Sequence, residues 1–129
     1  MSELKTILYV EDEPDIQAVA KIALEVVGGF ELKICSSGDE ALACAVSFAP
    51  DLFLLDVMMP GMDGPSTLKA LKALPELANT PSIFMTAKVQ PDEVATYKVL
   101  GALDVIAKPF DPMALSEQIN AIWQKHLSE

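Results

Sequence analysis

The sequence predicts an α/β fold: a parallel five-stranded sheet, doubly wound with helices on both faces, forming a single (βα)5 unit over residues 1–129. Three observations predict it. Short apolar runs alternate with helix-period segments along the whole chain, and no repeat, low-complexity segment or interdomain linker interrupts them. A length of 129 residues suits one hydrophobic core. Hydrophobic residues at 51% and charged residues at 22% give a globular rather than a disordered composition.

The first strand is Thr6–Val10. Pro14 then opens a helix along which Ile16, Val19, Ala20, Ala23, Leu24 and Val27 recur at helical spacing, and Gly28-Gly29 stops it. The second strand, Glu31–Cys35, leads to a helix over about Gly38–Phe48. That helix has Ser36 or Ser37 as N-cap and turns Ala41, Leu42, Ala45 and Phe48 to the sheet. After the third strand, Leu52–Asp56, a helix starting near Gly64-Pro65 carries Leu68, Leu71 and Lys72 before LPELANTP returns the chain to the sheet. The fourth strand is Ser82–Thr86, and its helix runs from Pro91 to Leu100-Gly101. The fifth strand, Asp104–Ala107, is followed by a helix from Pro112 to about residue 127, with Leu115, Ile119, Ile122 and Trp123 on one side. Right-handed crossovers leave few topologies for such a chain, and the flavodoxin-like strand order 2-1-3-4-5 is the common one. In that order the carboxyl ends of all strands share one edge, and ligands bind at the switch point between the first and third strands.

A formal charge of −10 opposes direct binding to nucleic acid or to an anionic membrane and favours proteins with basic patches as partners. No apolar run reaches the length of a membrane span, and MSELKTILYV lacks the form of a signal peptide, so a cytoplasmic protein is expected. Cys35 and Cys44, with no C-x-x-C pairing, are expected to be buried free thiols rather than a disulfide or metal site.

The stretch YVEDEPD places Glu11, Asp12, Glu13 and Asp15 just beyond an apolar strand, where buried carboxylates are costly unless a positive group joins them. The predicted topology adds Asp56 from the third strand, Thr86 from the fourth and Lys108 after the fifth. Carboxylates with backbone carbonyl and water make the hard oxygen site that Mg²⁺ accepts. Such an ion would relieve the repulsion between Asp12 and Asp56 and keep Asp56 nucleophilic, leaving Thr86 and Lys108 to meet the remaining oxygens of a phosphoryl group. Taken singly, each residue has a plainer reading. The acids can complement the first helix dipole, Asp56 can end a strand, Thr86 can cap, and Lys108 can be solvated. Their arrival at one edge favours the functional reading.

The motifs ILYVEDEPDI, PDLFLLDVMMPGMDG, IFMTAK and GALDVIAKPF cover essentially the whole chain. Through them the sequence resembles the receiver domains of two-component response regulators, in particular single-domain, chemotaxis-type regulators. The resemblance implies Asp56 as phosphoacceptor, with Glu11 and Asp12 helping it to hold Mg²⁺ and the Met58 backbone carbonyl as a further donor. It implies Thr86 as the switch hydroxyl and Lys108 as its cationic partner, with a cis Lys108-Pro109 bond. The phosphoryl donor would be a sensor histidine kinase or a histidine phosphotransfer protein, and the readout a downstream protein effector. Such a domain catalyses only its own phosphorylation and dephosphorylation; no output module is expected, and a phosphorylation-dependent homodimer is left open.

The partner face implied by the family lies on the fourth helix, fifth strand and fifth helix, with Val94, Tyr97, Lys98, Val105 and Trp123 as candidates and Lys88 in the preceding loop. Val105 stands where the family often has an aromatic switch residue, so switching is expected to lean on Thr86 and the loop AKVQPD. Met58 and Lys88 occupy positions that tune acyl-phosphate lifetime, where they would partly shield Asp56. His126, the only histidine, is expected to do no more than complement the last helix dipole. Alternatives are a phosphorylation-silent adaptor of the same fold, a flavodoxin-type binding module, and a haloacid-dehalogenase-like phosphatase. EDEPD would repel a phosphate in a flavodoxin-type site. The dehalogenase type wants a second aspartate where this chain has Met58.

Overall fold

The computed structural model describes residues 3–128. Five parallel strands, β1 (Thr6–Val10), β2 (Glu31–Cys35), β3 (Leu52–Asp56), β4 (Ser82–Thr86) and β5 (Asp104–Ala107), form one sheet in the order β2-β1-β3-β4-β5. Between them run α1 (Pro14–Lys21), α2 (Gly38–Phe48), α3 (Gly64–Lys72), α4 (Pro91–Val99) and α5 (Leu115–Leu127). The topology is the flavodoxin-like one, and the strand boundaries coincide with the apolar runs of the sequence.

Strand alternation builds two cores. Ile7, Tyr9, Leu52, Leu54, Ile83, Met85 and Ile106 face Ala20, Ala23 and Leu24 of the first helical segment and Leu115, Ile119 and Trp123 of α5. On the opposite face Leu8, Val10, Phe53, Leu55 and Phe84 meet Ala41 and Ala45 of α2 and Leu68 and Leu71 of α3. A sheet buried on both faces explains why its central strands read as continuous apolar runs. At the opening edge of the sheet, Asp51 Oδ2 accepts the amides of Lys5 (3.0 Å) and Thr6 (3.1 Å), while Thr6 Oγ1 accepts the Asp51 amide (2.8 Å). This reciprocal clasp ties β1 to the start of β3.

Two helices depart from their sequence pattern. The first is α-helical only to Lys21 and continues as a π-helical segment, Ile22–Val27. The wider turn frees the Ala23 carbonyl to accept the Gly28 amide (3.1 Å) and the Ser116 hydroxyl of α5 (2.7 Å) together. Gly28 allows that approach, since a Cβ there would stand 2.2 Å from Ser116 Oγ. The last helix starts at Leu115 rather than Pro112. Asp111 Oδ1 accepts the Met113 amide (2.9 Å) and its carbonyl accepts Ala114 and Leu115 (3.0 Å each), so residues 112–114 form a turn. The N-cap of α2 is Ser37, whose hydroxyl accepts the Glu40 amide, while Glu40 reaches back to the Ser36 amide.

Candidate functional site

Strand register assembles the site. Val10 lies opposite both Cys35 and Leu55, and the ladder continues one step further as the Glu11 amide donates to the Cys35 carbonyl (3.0 Å) and the Val57 amide to the Met85 carbonyl (3.0 Å). Glu11 and Asp56 therefore end adjacent strands, and Glu11, Asp12 and Asp56 each offer a carboxylate oxygen, all within 4.8 Å of one another. Lys108 reaches them from beyond β5. Its amide is anchored on the Thr86 carbonyl (3.0 Å), the Lys108-Pro109 peptide is cis, and its ammonium donates to Glu11 Oε1 (2.9 Å) and Asp56 Oδ1 (3.1 Å).

The electrostatics of this cluster are unbalanced. Glu11 is 1% exposed and Asp56 2%. Burial pushes the Asp56 carboxyl up to about 6, against the hydrogen bond from Lys108 and with the added repulsion of Glu11. Burial alone would lower Lys108, but its bonds to Glu11 and Asp56 outweigh that and hold the ammonium charged. One cation thus faces three acids, which leaves net negative charge among hard oxygen donors. That donor set fits a divalent, oxygen-seeking ion such as Mg²⁺.

Two neighbours of the site were not singled out in the sequence. Tyr9, fully buried, donates its phenol to Glu11 Oε1 (3.4 Å), and burial followed by the charges of Glu11 and Asp56 raises its pKa far enough to keep it a donor. The Gln17 amide donates to the Glu11 carbonyl and to Ser36 Oγ (3.2 Å). The signal for Tyr9 was available, because residues two apart in a strand share a face. Glu11 Oε2 also accepts the Glu13 amide (3.2 Å), so its carboxylate is held from three sides.

The remaining candidates are placed as follows. Thr86 is buried at the end of β4, where its hydroxyl accepts the Lys88 amide (3.1 Å); among the described residues it makes no hydrogen bond to the acids. Met58 is 71% exposed, and Lys88 is also exposed. Val94 is half-buried, and Lys98 lies 3.9 Å from Asp104. Tyr97 stacks at a tilt on Phe84 with centroids 5.1 Å apart, and it packs with Val105 against the second core. Trp123 is corrected from surface candidate to core residue: it is 6% exposed among the α1 and α5 apolar groups, because the apolar stripe of α5 faces the sheet. Cys35 and Cys44 are both free, Cys35 buried and Cys44 half-buried, and their sulfurs lie 3.4 Å apart.

Residues 7–120 match the family described as the response regulator receiver domain. The phosphate regulon transcriptional regulatory protein PhoB of Pseudomonas aeruginosa is 36% identical over 121 residues, which are 94% of this chain and 52% of that protein. The alkaline phosphatase synthesis transcriptional regulatory protein PhoP of Bacillus subtilis is 35% identical over 94% of this chain and 49% of its own length. The chain spans about half the length of these curated relatives. Among solved structures, the chemotaxis response regulator CheY4 of Vibrio cholerae superposes with a TM-score of 0.85 at 28% identity, covering 93% of this chain and 99% of that one. The family match, the parallel sheet of order 2-1-3-4-5 and the convergence of acids and lysine at its carboxyl edge agree: this chain belongs to the response regulator receiver domains of two-component systems.

Proposed function

We propose that this receiver accepts a phosphoryl group on Asp56 from a phosphohistidine of a sensor histidine kinase or histidine phosphotransfer protein, and that the phosphorylated form changes its binding to a downstream protein in the cytoplasm. The observation that carries the reading is the grip of Lys108 on both Glu11 and Asp56, 97 and 52 residues away in sequence, inside a three-carboxylate cluster.

In this reading an Asp56 carboxylate oxygen attacks phosphorus in line with the departing histidine nitrogen, and the product is an aspartyl phosphate. Glu11, Asp12 and Asp56, with the Met58 carbonyl as a further donor, would hold Mg²⁺, which would supply positive charge against the transferring group. Lys108 exchanges its bond to Asp56 for one to a phosphoryl oxygen. Thr86 turns its hydroxyl from the Lys88 amide toward another, carrying the loop that follows β4 with it. Val105 cannot swing as a ring would, so that loop and α4 carry the output. Residues of this site act on the chain's own phosphoryl group; Met58, where a phosphatase of the dehalogenase type needs an acid, leaves none to protonate an outside leaving group. The charge of −10 favours a basic protein surface over nucleic acid as the target.

Intact-mass measurement after incubation with acetyl phosphate, with and without Mg²⁺, tests the reading. A single Mg²⁺-dependent, hydroxylamine-labile phosphoryl adduct that is absent from Asp56→Asn is expected. A wild-type protein that binds Mg²⁺ but stays unmodified by both acetyl phosphate and a phosphorylated histidine donor would shift the assignment to a phosphorylation-silent adaptor.

A further inference from the structure

The two cysteines, unpaired by any sequence motif, meet in space. Cys35 is the last residue of β2, the edge strand, and its backbone is pinned by pairing with Val10 and by the Glu11 amide on its carbonyl. Cys44 sits on α2, a helix fixed at its start by the Ser37 and Glu40 cap, and its thiol leans on the Ala41 carbonyl (3.7 Å). These two rigid elements hold the sulfurs 3.4 Å apart, at van der Waals contact. Cys35 is fully buried, whereas Cys44 is half-buried and partly exposed to solvent.

We propose that Cys35 and Cys44 form a reversible two-electron redox site that closes to an intramolecular disulfide when it meets a peroxide. The asymmetry of the pair assigns the roles. Cys35, fully buried, is kept from the oxidant and serves as the resolving thiol, while the half-buried Cys44 meets it. The Cys44 thiolate attacks one oxygen of hydrogen peroxide. The O–O bond breaks, Cys44 becomes a sulfenic acid, and the departing hydroxide takes up a proton to leave as water. Cys35 sulfur then attacks the Cys44 sulfur, the S–O bond breaks, and the hydroxyl leaves with the Cys35 proton as a second water. The pair is oxidised by two electrons and the peroxide is reduced by two. Fixed neighbours make the second step intramolecular, which favours closure over further oxidation of Cys44. The inference does not rest on the phosphoacceptor reading, because thiol oxidation is read without phosphorylation.

The experiment exposes the full chain to hydrogen peroxide, then denatures it, alkylates free thiols with iodoacetamide and measures intact and peptide masses. Expected is a product lighter by one hydrogen from each thiol, with both cysteines protected from alkylation, a cross-linked peptide pair containing residues 35 and 44, and full recovery on dithiothreitol. In Cys44→Ser, Cys35 should remain fully alkylatable; in Cys35→Ala, Cys44 should be trapped by dimedone as the sulfenic acid. Wild-type protein in which both thiols stay alkylatable, or Cys44 proceeds to sulfinic acid while Cys35 stays free, or the bond forms between two chains, would overturn the proposal. Since wild type alone gives a decisive readout, misfolding of a variant does not blunt the test.

Discussion

At Asp56 the charge that the proposed phosphoacceptor role calls for and the cost of burying charge oppose each other. Its carboxyl lies at about 6 in the folded chain against 3.8 for a free aspartate, chiefly through burial. A raised carboxyl contributes most favourably below the unfolded value and loses that contribution as pH rises through the folded one, so the ionised form strains the metal-free fold above about pH 6. Asp56→Asn is therefore expected to stabilise the metal-free protein at pH 7 by on the order of 2 kcal/mol. In urea denaturation the gain should shrink between pH 6 and pH 4 and vanish below that range; a gain that grows on acidification would contradict the assignment. Tyr9 sets a second residue-scale expectation. Tyr9→Phe keeps the ring volume but removes the donor from Glu11, and should weaken Mg²⁺ binding by about tenfold in a calorimetric titration while leaving the fold intact. If affinity is unchanged, Tyr9 is only packing.

Among the elements, the turn from β3 into α3 is the tightest near the site. Gly64 donates its amide to the Val57 carbonyl (3.0 Å), and a Cβ at this position would stand 2.5 Å from the Asp56 carbonyl oxygen and 2.9 Å from Val57 Cα. Gly64→Ala must move backbone that carries Asp56. A loss of about 2–3 kcal/mol is expected, together with slower phosphorylation by acetyl phosphate; full stability with full rate would show that the turn yields freely. Element boundaries were legible wherever a local rule dominated. Runs such as LFLLD, buried on both faces, end where polarity returns; Pro14 and Pro91 mark helix starts by their own backbone chemistry, and the Ser36-Ser37 pair marks one by its capping hydroxyls, of which Ser37 supplies the cap. What escaped the sequence depended on distant partners. The π-helical stretch answers Ser116, 93 residues from Ala23, and residues 112–114 form a turn because Asp111 accepts the amides of Met113, Ala114 and Leu115. At the site, Glu11, Asp12, Asp56, Thr86 and Lys108 were visible as polar residues ending apolar strands. The meeting of Cys35 with Cys44 was not, since it depends on how α2 lies over β2.

For the whole molecule, net charge and the acidic cluster act together. With −10 overall, added salt should raise the melting temperature modestly by screening self-repulsion. Mg²⁺ should raise it further than sodium chloride of matched ionic strength, gaining about 1.4 kcal/mol for each tenfold rise above its dissociation constant. Equal effects of the two salts in a thermal scan would mean that the carboxylates bind no specific ion. The clasp of Asp51 on Lys5 and Thr6 bears on a different property, the response to force. β1 lies between β2 and β3, and the clasp sits where the chain enters it, so tension applied through Lys5 must first break that clasp and then shear two parallel ladders at once. Tension applied beyond Leu127 instead peels α5 from its end, releasing the packing of Trp123 and Ile119 turn by turn before it reaches the Ser116 hydrogen bond to the Ala23 carbonyl and the packing of Leu115. The fold is a ratchet-like grip at one end and a peelable strip at the other, and a pulling experiment should see α5 detach at low force well before the sheet yields.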